Sequence, residues 1–212
     1  MNRTLSPELA WDLAQSGGII VDLREPGDYA AGHVLGSLSL VFSEKSLAER
    51  FEAVADAGSG VILITSHDAV QYEVAEVQLT EKGITVHGVL EGDVSTWKAA
   101  GLPIDTLPEI ALHELASYAT APDSVVLDVR EPIEWETMGY VPDSLLISLG
   151  ELRANLDQIP RSARLAVICE AGIRSCTAAS VLLSEGFKQV GNVAEGSSGY
   201  RREGFPLQYL EQ

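Results

Sequence analysis

The sequence predicts an α/β fold that occurs twice in the chain. Short apolar runs typical of buried strands, at 61–64 and 165–168, are followed by segments with helical patterns. This alternation favours a small, mostly parallel sheet with helices on both faces. The segment IIVDLREP at 19–26 recurs as VVLDVREP at 125–132, which indicates that the same fold is built a second time.

The two copies are long enough to be separate domains. Asp22 precedes its counterpart Asp128 by 106 positions, whereas solenoid repeats span roughly 20–50 residues. A second match relates LTEKGITVHG, from position 79, to LLSEGFKQVG, from position 182. The segment GLPIDTLP at 101–108 has two prolines around a short polar link. We therefore predict one domain over 1–104 and a second over 105–212.

Local signals predict the elements of the first copy in order. Ser6 is a suitable N-cap and Pro7 a suitable first helical residue, so a helix is expected to begin there and to run toward Gly17 and Gly18. Apolar alternation or short continuous apolar runs predict strands, and a 3.6-residue period predicts helices. These patterns predict a strand over 19–23, an extended piece over 34–41, a helix over 47–55, a strand over 61–64, a helix over 72–81 and a strand over 85–90.

Composition argues against several classes of protein. The formal net charge of −17 is spread over both halves with no basic block, so nucleic acid and anionic membrane surfaces would be repelled. No apolar run approaches the roughly 18 residues of a membrane helix, and the first residues lack the pattern of a signal peptide. Two cysteines are too few for a disulfide framework. We therefore expect a cytoplasmic protein with reduced thiols.

The stretch CEAGIRSC at 169–176 is the main candidate for a functional site. It follows a predicted buried strand, and ligands of parallel sheets bind in the loops at the carboxyl ends of the strands. A thiol reacts as its thiolate, which helix N-termini and nearby cations favour. Gly172 permits a curl in which backbone N–H groups converge, Arg174 adds a permanent positive charge, and Ser175 is expected to cap the helix running through 177–183. Cys169 is thus a candidate nucleophile beside an anion-binding loop.

Three segments of the second copy together resemble a rhodanese (sulfurtransferase) domain. They are DVREPIEWETMGYVP at 128–142, the strand followed by CEAGIRS, and GFKQVGNVAEGSSGYRREGFP at 186–206. Because the first copy repeats much of this pattern, the resemblance implies two tandem rhodanese-like domains.

The resemblance also implies an activity. Catalytic Cys169 would accept a sulfane sulfur from thiosulfate or another persulfide donor and pass it to a thiol-type acceptor, without a cofactor. Arg174 would orient the small anionic donor or the persulfide of a donor protein. The residues implied to bind substrate and persulfide, largely through their backbone amides, are Glu170, Ala171, Gly172, Ile173, Arg174 and Ser175.

Two other functions remain open at this stage. Phosphatases and arsenate-reductase-like enzymes also place a cysteine before a curled anion loop and an arginine. Protein tyrosine phosphatases use the spacing C-x5-R, whereas Cys169 and Arg174 have four residues between them, which favours sulfur transfer. A rhodanese fold can also serve as a non-catalytic binding module.

The first copy lacks the thiol. Alignment of the two apolar strands places Thr65 or Ser66 where Cys169 stands, and Val70 or Gln71 at the position of the loop arginine. A hydroxyl without a base cannot replace a thiolate, so we expect no sulfur transfer by residues 1 to about 104.

The other polar residues near the loops are predicted to have supporting roles. Asp128, Arg130 and Glu131 are expected to tie neighbouring loops together. Glu170 and Glu134 reduce the positive charge at the carboxyl ends of the strands, which favours a persulfide over thiosulfate as the physiological donor.

The remaining reactive side chains are assigned no catalytic role. Cys176 is expected to be buried rather than to form a disulfide. The tripeptide at 66–68, which includes His67, is predicted to be a solvated loop, because adjacent residues cannot form a catalytic triad. The four histidines show no metal-ligand spacing, so no metal site is predicted.

Overall fold

The computed structural model describes residues 3–56, 58, 60–66 and 69–210. The chain divides between Thr106 and Leu107 into two compact units. Each unit contains its own parallel sheet, and each is described separately below. Of the predicted loop at 66–68, His67 and Asp68 lie outside the described residues.

The first unit contains a five-stranded parallel sheet. The strands of the unit are β1 (Thr4–Leu5), β2 (Ile19–Asp22), β3 (His33–Val34), β4 (Leu38–Ser39), β5 (Val61–Ile64), β6 (Val86–Leu90) and β7 (Ile104–Asp105). The sheet has the order β1-β6-β5-β2-β4 with parallel pairing, while β3 and β7 form a separate antiparallel pair. Its helices are α1 (Pro7–Gln15), α2 (Pro26–Ala31), α3 (Leu47–Val54), α4 (Ala69–Glu81) and α5 (Val94–Ala99).

Most of the elements expected in the first copy are present with small shifts of their ends. Helix α1 begins at Pro7, and the Ser6 hydroxyl accepts a hydrogen bond from the Leu9 N–H at 3.3 Å, as predicted for an N-cap. Strand β5 has its predicted bounds, whereas α4 begins three residues before the expected position. The extended piece over 34–41 overlaps two very short strands, β3 and β4. The sequence patterns did not predict α2 or α5, because six residues are too few to show a helical period.

Burial of both faces of the central strand explains its continuous apolar sequence. Ile62 and Ile64 pack in one cluster with Ala10 of α1 and Trp97 of α5. Side chains alternate between the faces of a strand, so Leu63 points to the opposite face, where it is also fully buried. The sheet is therefore covered on both sides, as the sequence predicted.

The second unit repeats this architecture around a four-stranded parallel sheet. Its strands are β8 (Ser124–Asp128), β9 (Leu145–Leu146), β10 (Arg164–Ile168) and β11 (Val190–Asn192), in the order β11-β10-β8-β9. Its α-helices are α6 (Leu115–Thr120), α7 (Pro132–Met138), α8 (Ile173–Ser184) and α9 (Gly196–Arg202), and its 3₁₀ helices are Leu112–Glu114, Leu149–Glu151 and Arg153–Gln158. Among the described helices of both units, none is long and apolar enough to span a bilayer.

The register of the second sheet brings the predicted site residues to one edge. Asp128, the last residue of β8, pairs with Ile168, the last residue of β10. The loops that follow these parallel strands therefore leave the sheet side by side. One contains Arg130 and the other begins with Cys169.

Candidate active site

Cys169 lies between the end of β10 and the beginning of α8. Its side chain is buried, and its Sγ accepts a hydrogen bond from Ser175 Oγ at 3.3 Å. The Cys176 N–H donates to the Gly172 carbonyl at 3.2 Å. The N–H groups of Ile173, Arg174 and Ser175 thus belong to the first turn, whose amides a helix leaves without an internal acceptor. The thiol is therefore next to the positive end of a helix.

The expected role of Ser175 as a helix cap is wrong. Helix α8 begins at Ile173, and Gly172 is its N-cap, so Ser175 is the third residue of the helix. The tight curl at Gly172 starts the helix earlier than the sequence pattern indicated. This shift turns the Ser175 hydroxyl toward Cys169 instead of toward a backbone amide.

Two glycines allow the cysteine loop to lie against the segment that leads into α9. Gly172 has a φ of +80°, and a Cβ there would lie 2.3 Å from the Ala194 carbonyl oxygen. Gly196 has a φ of +62°, and a Cβ there would lie 2.3 Å from the Glu170 carbonyl oxygen. The Ser197 N–H also donates to the Cys169 carbonyl at 2.8 Å. The contact is so close that larger residues at either glycine would separate the loops.

Arg174 forms a two-pronged ion pair with Glu134 of α7. Its Nη1 and Nη2 atoms donate to Glu134 Oε2 and Oε1 at 2.6 and 2.7 Å. Hydrogen bonding from Arg174 lowers the pKa of Glu134, so this carboxylate is charged at neutral pH. The same hydrogen bonds raise the pKa of Arg174, and the charge of a Cys169 thiolate also contributes. The predicted anion-binding residue thus already has an anionic partner, which the sequence placed in the same region without indicating the pairing.

Glu170 is paired with α9, a helix from which the sequence predicted no site residue. Its carboxylate accepts hydrogen bonds from Arg201 and, at 2.8 Å, from Ser197 Oγ. Partial burial tends to raise the pKa of Glu170, but the hydrogen bonds from Arg201 and Ser197 outweigh it and lower the pKa. The only sequence signal for this helix was the match of its glycine-rich start to the closing segment of the rhodanese pattern.

Asp128 and Arg130 form a buried ion pair at the end of β8. The Arg130 Nη2 atom donates to Asp128 Oδ2 at 2.7 Å and to the Gly139 carbonyl at 2.8 Å. Its Nη1 atom is 3.8 Å from Glu170 Oε2. Arg130 thereby connects the strand end to the loop after α7 and to the residue after the cysteine. Glu131 is exposed, and its N–H donates to Glu134 Oε2 at 2.9 Å.

The first unit retains this support but not the thiol. Arg24 donates to Asp22 and, at 2.9 Å, to the Gly32 carbonyl, which repeats the contacts of Arg130. At the end of β5, Thr65 is buried and Ser66 is exposed. The unit therefore has the framework of the site without its nucleophile.

Neither cysteine takes part in a disulfide. Cys169 and Cys176 are both reduced, and Cys176 is fully buried, as expected. Within the described parts of the chain, no group of three or more histidine, cysteine, aspartate or glutamate side chains is arranged to hold a metal ion.

Comparison with known proteins identifies the family. Residues 6–100 and 111–203 each match the model of the rhodanese-like domain. The chain belongs to the rhodanese-like family. Two matches in one chain confirm the tandem arrangement and the fold class predicted from the repeat.

Relatives of this rhodanese-like chain include sulfurtransferases. Thiosulfate sulfurtransferase GlpE of Haemophilus influenzae is 33% identical over 104 residues, which cover 49% of this chain and 95% of GlpE. A sulfurtransferase of Allochromatium vinosum is 28% identical over 89 residues, which cover 42% of this chain and 82% of that protein.

One more relative and one solved structure each match less than half of this chain. YrkF of Bacillus subtilis, a putative sulfur carrier protein, is 34% identical over 92 residues. The match covers 43% of this chain and 49% of YrkF, so this chain spans about half of that protein's length. A rhodanese-related protein of Thermoplasma volcanium has 31% sequence identity and a TM-score of 0.44, with 49% of this chain and 99% of that chain covered.

Proposed function

We propose that the second unit is a sulfurtransferase that carries a sulfane sulfur on Cys169. The observation that carries this proposal is the position of the buried thiol, which receives a hydrogen bond from Ser175 at the first turn of α8. A negative charge on the sulfur is favoured there by the helix N-terminus. The match to the rhodanese-like family and the sulfurtransferases among the relatives support the same chemistry.

The first half-reaction loads sulfur onto the enzyme. With thiosulfate, the Cys169 thiolate attacks the outer sulfur, a new S–S bond forms to Cys169, and the old S–S bond breaks. The bonding pair leaves with sulfite, so a dianion enters and a dianion departs while the enzyme retains one negative charge as a persulfide anion. With a persulfide R–S–SH, the transferred sulfur keeps its proton and the thiolate RS⁻ departs.

The second half-reaction returns the enzyme to its starting state. A thiolate acceptor attacks the outer sulfur of the Cys169 persulfide, and the S–S electron pair returns to the Cys169 sulfur. In this proposal the backbone amides of the first turn of α8 and the hydroxyl of Ser175 would donate hydrogen bonds to the charged sulfur atoms. No general base is needed, because the nucleophile is a thiolate.

The first unit would contribute no sulfur transfer of its own. Both cysteines of the chain, at 169 and 176, lie in the second unit. A persulfide formed on this protein must therefore be located there, and this makes the proposal directly measurable.

Intact mass spectrometry tests the proposal. The wild type is incubated with thiosulfate, or separately with an alkyl persulfide, and is then desalted and weighed before and after cyanide treatment. We expect the gain of one sulfur atom that cyanide removes, its loss in Cys169→Ser, and its retention in the control Cys176→Ala. A chain that gains no sulfur from either donor, but hydrolyses p-nitrophenyl phosphate in a Cys169-dependent manner, would instead be a phosphatase.

A further inference from the structure

The arginine next to the reactive thiol already binds a carboxylate held in place by other contacts. Each terminal nitrogen of Arg174 donates to a different oxygen of Glu134. This two-pronged geometry is also the one by which a guanidinium binds two oxygens of a phosphate or a similar oxyanion. Glu134 is itself fixed, because its Oε2 accepts the Glu131 N–H in the first turn of α7. A donor with an oxyanion must therefore displace Glu134 or bind beside its negative charge.

In the part of the chain that the structure describes, the other arginines that contact the loop supply no compensating cation. Arg201 pairs with Glu170, and the buried Arg130 pairs with Asp128. Together with the Arg174 and Glu134 pair, these contacts contribute three positive and three negative charges. The thiolate of the proposed mechanism adds one more negative charge, so a dianionic donor meets a site with no positive excess.

The residues next to the ion pair present apolar surface instead. Ile133 directly precedes Glu134 and is 61% exposed, and Ile173 directly precedes Arg174 and is 42% exposed. Each of these exposed isoleucines is the sequence neighbour of one member of the ion pair that links α7 to α8. Exposed apolar side chains next in the chain to the ion pair suit an organic group without charge near its sulfur better than a small inorganic dianion.

We infer that Glu134 is a specificity-determining residue that selects persulfide donors R–S–SH with a neutral R group over donors whose sulfur is attached to an oxyanion. The inference rests on the proposed persulfide chemistry of Cys169. In the selected reaction the thiolate attacks the outer sulfur of R–S–SH, the S–S bond breaks, and RS⁻ leaves with the electron pair. No sulfite is released, so Arg174 does not have to be freed from Glu134.

The test compares two donors with and without the carboxylate. Second-order rate constants for addition of one sulfur to Cys169 are measured by rapid quench and intact mass, with thiosulfate and with 2-hydroxyethyl persulfide. The variant is Glu134→Gln, which can still accept the Glu131 N–H. The matched control is Glu136→Gln, which removes one negative charge from an exposed position on the same helix. Changes in the reactivity of the thiol itself affect both donors and cancel in the ratio of the rate constants.

We expect Glu134→Gln to increase the ratio of the thiosulfate rate constant to the persulfide rate constant about tenfold or more, because the variant removes a negative charge beside the bound dianion. Glu136→Gln should leave the ratio within about twofold of the wild type, because exposed distant charges are screened.

An unchanged ratio in Glu134→Gln overturns the inference while sulfur loading still supports the proposed function. An equal change in both variants also overturns it, since the effect would then be one of overall charge. Failure of both donors to load the wild type overturns the proposed function itself.

Discussion

Gly172 packs closely against Ala194, and Gly186 at the other end of α8 is a matched control for a substitution there. Gly172 and Gly186 lie just before and just after α8, with φ values of +80° and +89°. A Cβ at Gly186 would meet nothing within 4 Å, whereas a Cβ at Gly172 would lie 2.3 Å from the Ala194 carbonyl oxygen. The two Gly→Ala variants therefore share the backbone cost and differ in the steric clash.

The expected losses of stability follow from these two terms. An alanine in the left-handed region costs about 1–2 kcal/mol, so Gly186→Ala should lower the free energy of unfolding by that amount. Gly172→Ala has the same cost and an overpacking term of about 1–3 kcal/mol, because backbone at Ala194 must move. The total for Gly172→Ala is then about 2–5 kcal/mol.

Peptide-resolved hydrogen exchange in increasing urea measures the stability of the second unit in the intact chain. Sulfur loading of Cys169 is measured on the same samples. We expect Gly172→Ala to lose more stability than Gly186→Ala and to load sulfur more slowly, because the cysteine loop moves away from the segment before α9. If the two variants lost the same stability and both loaded sulfur at the wild-type rate, the close packing at Gly172 would have no role in the site.

Two further predictions concern buried and half-buried charges. Arg130 is fully buried, whereas the side chain of Arg24 in the equivalent pair is 13% exposed. Asp128→Ala should therefore lower the free energy of unfolding by about 3–5 kcal/mol, and Asp22→Ala should lower it by less, as measured by hydrogen exchange in urea. Equal losses of stability in the two units would contradict this. The pKa of Glu134 lies below its ordinary value of 4.5 in the folded protein, so its stabilising effect is fully present above the ordinary value and disappears as the pH falls through the lowered pKa. Glu134→Gln should therefore reduce the urea midpoint at neutral pH and have progressively less effect in acid, and a difference from the wild type that stays constant over this pH range would contradict the assignment.

The sequence by itself determined the architecture and the position of the nucleophile. The recurrence of the segment with Asp22 around Asp128 requires no tertiary information, and the continuous apolar strands indicate a sheet covered on both faces. Cys169 follows such a strand directly, so its place at the carboxyl end of the sheet follows from chain order alone. These features are local, and local patterns can be read from a single chain.

Tertiary structure alone decided which charges pair around the thiol. Arg174 and Glu134 are 40 positions apart, and Glu170 and Arg201 are 31 apart, so no periodicity connects either pair. They meet because the parallel register aligns the ends of β8 and β10, and because Gly196 at the start of α9 lets that segment lie against the cysteine loop. The start of α8 at Ile173 likewise depends on the positive φ of Gly172, and it is this start that directs the Ser175 hydroxyl to the sulfur. Side-chain partners of this kind are set by packing between elements distant in sequence, which residue order does not encode locally.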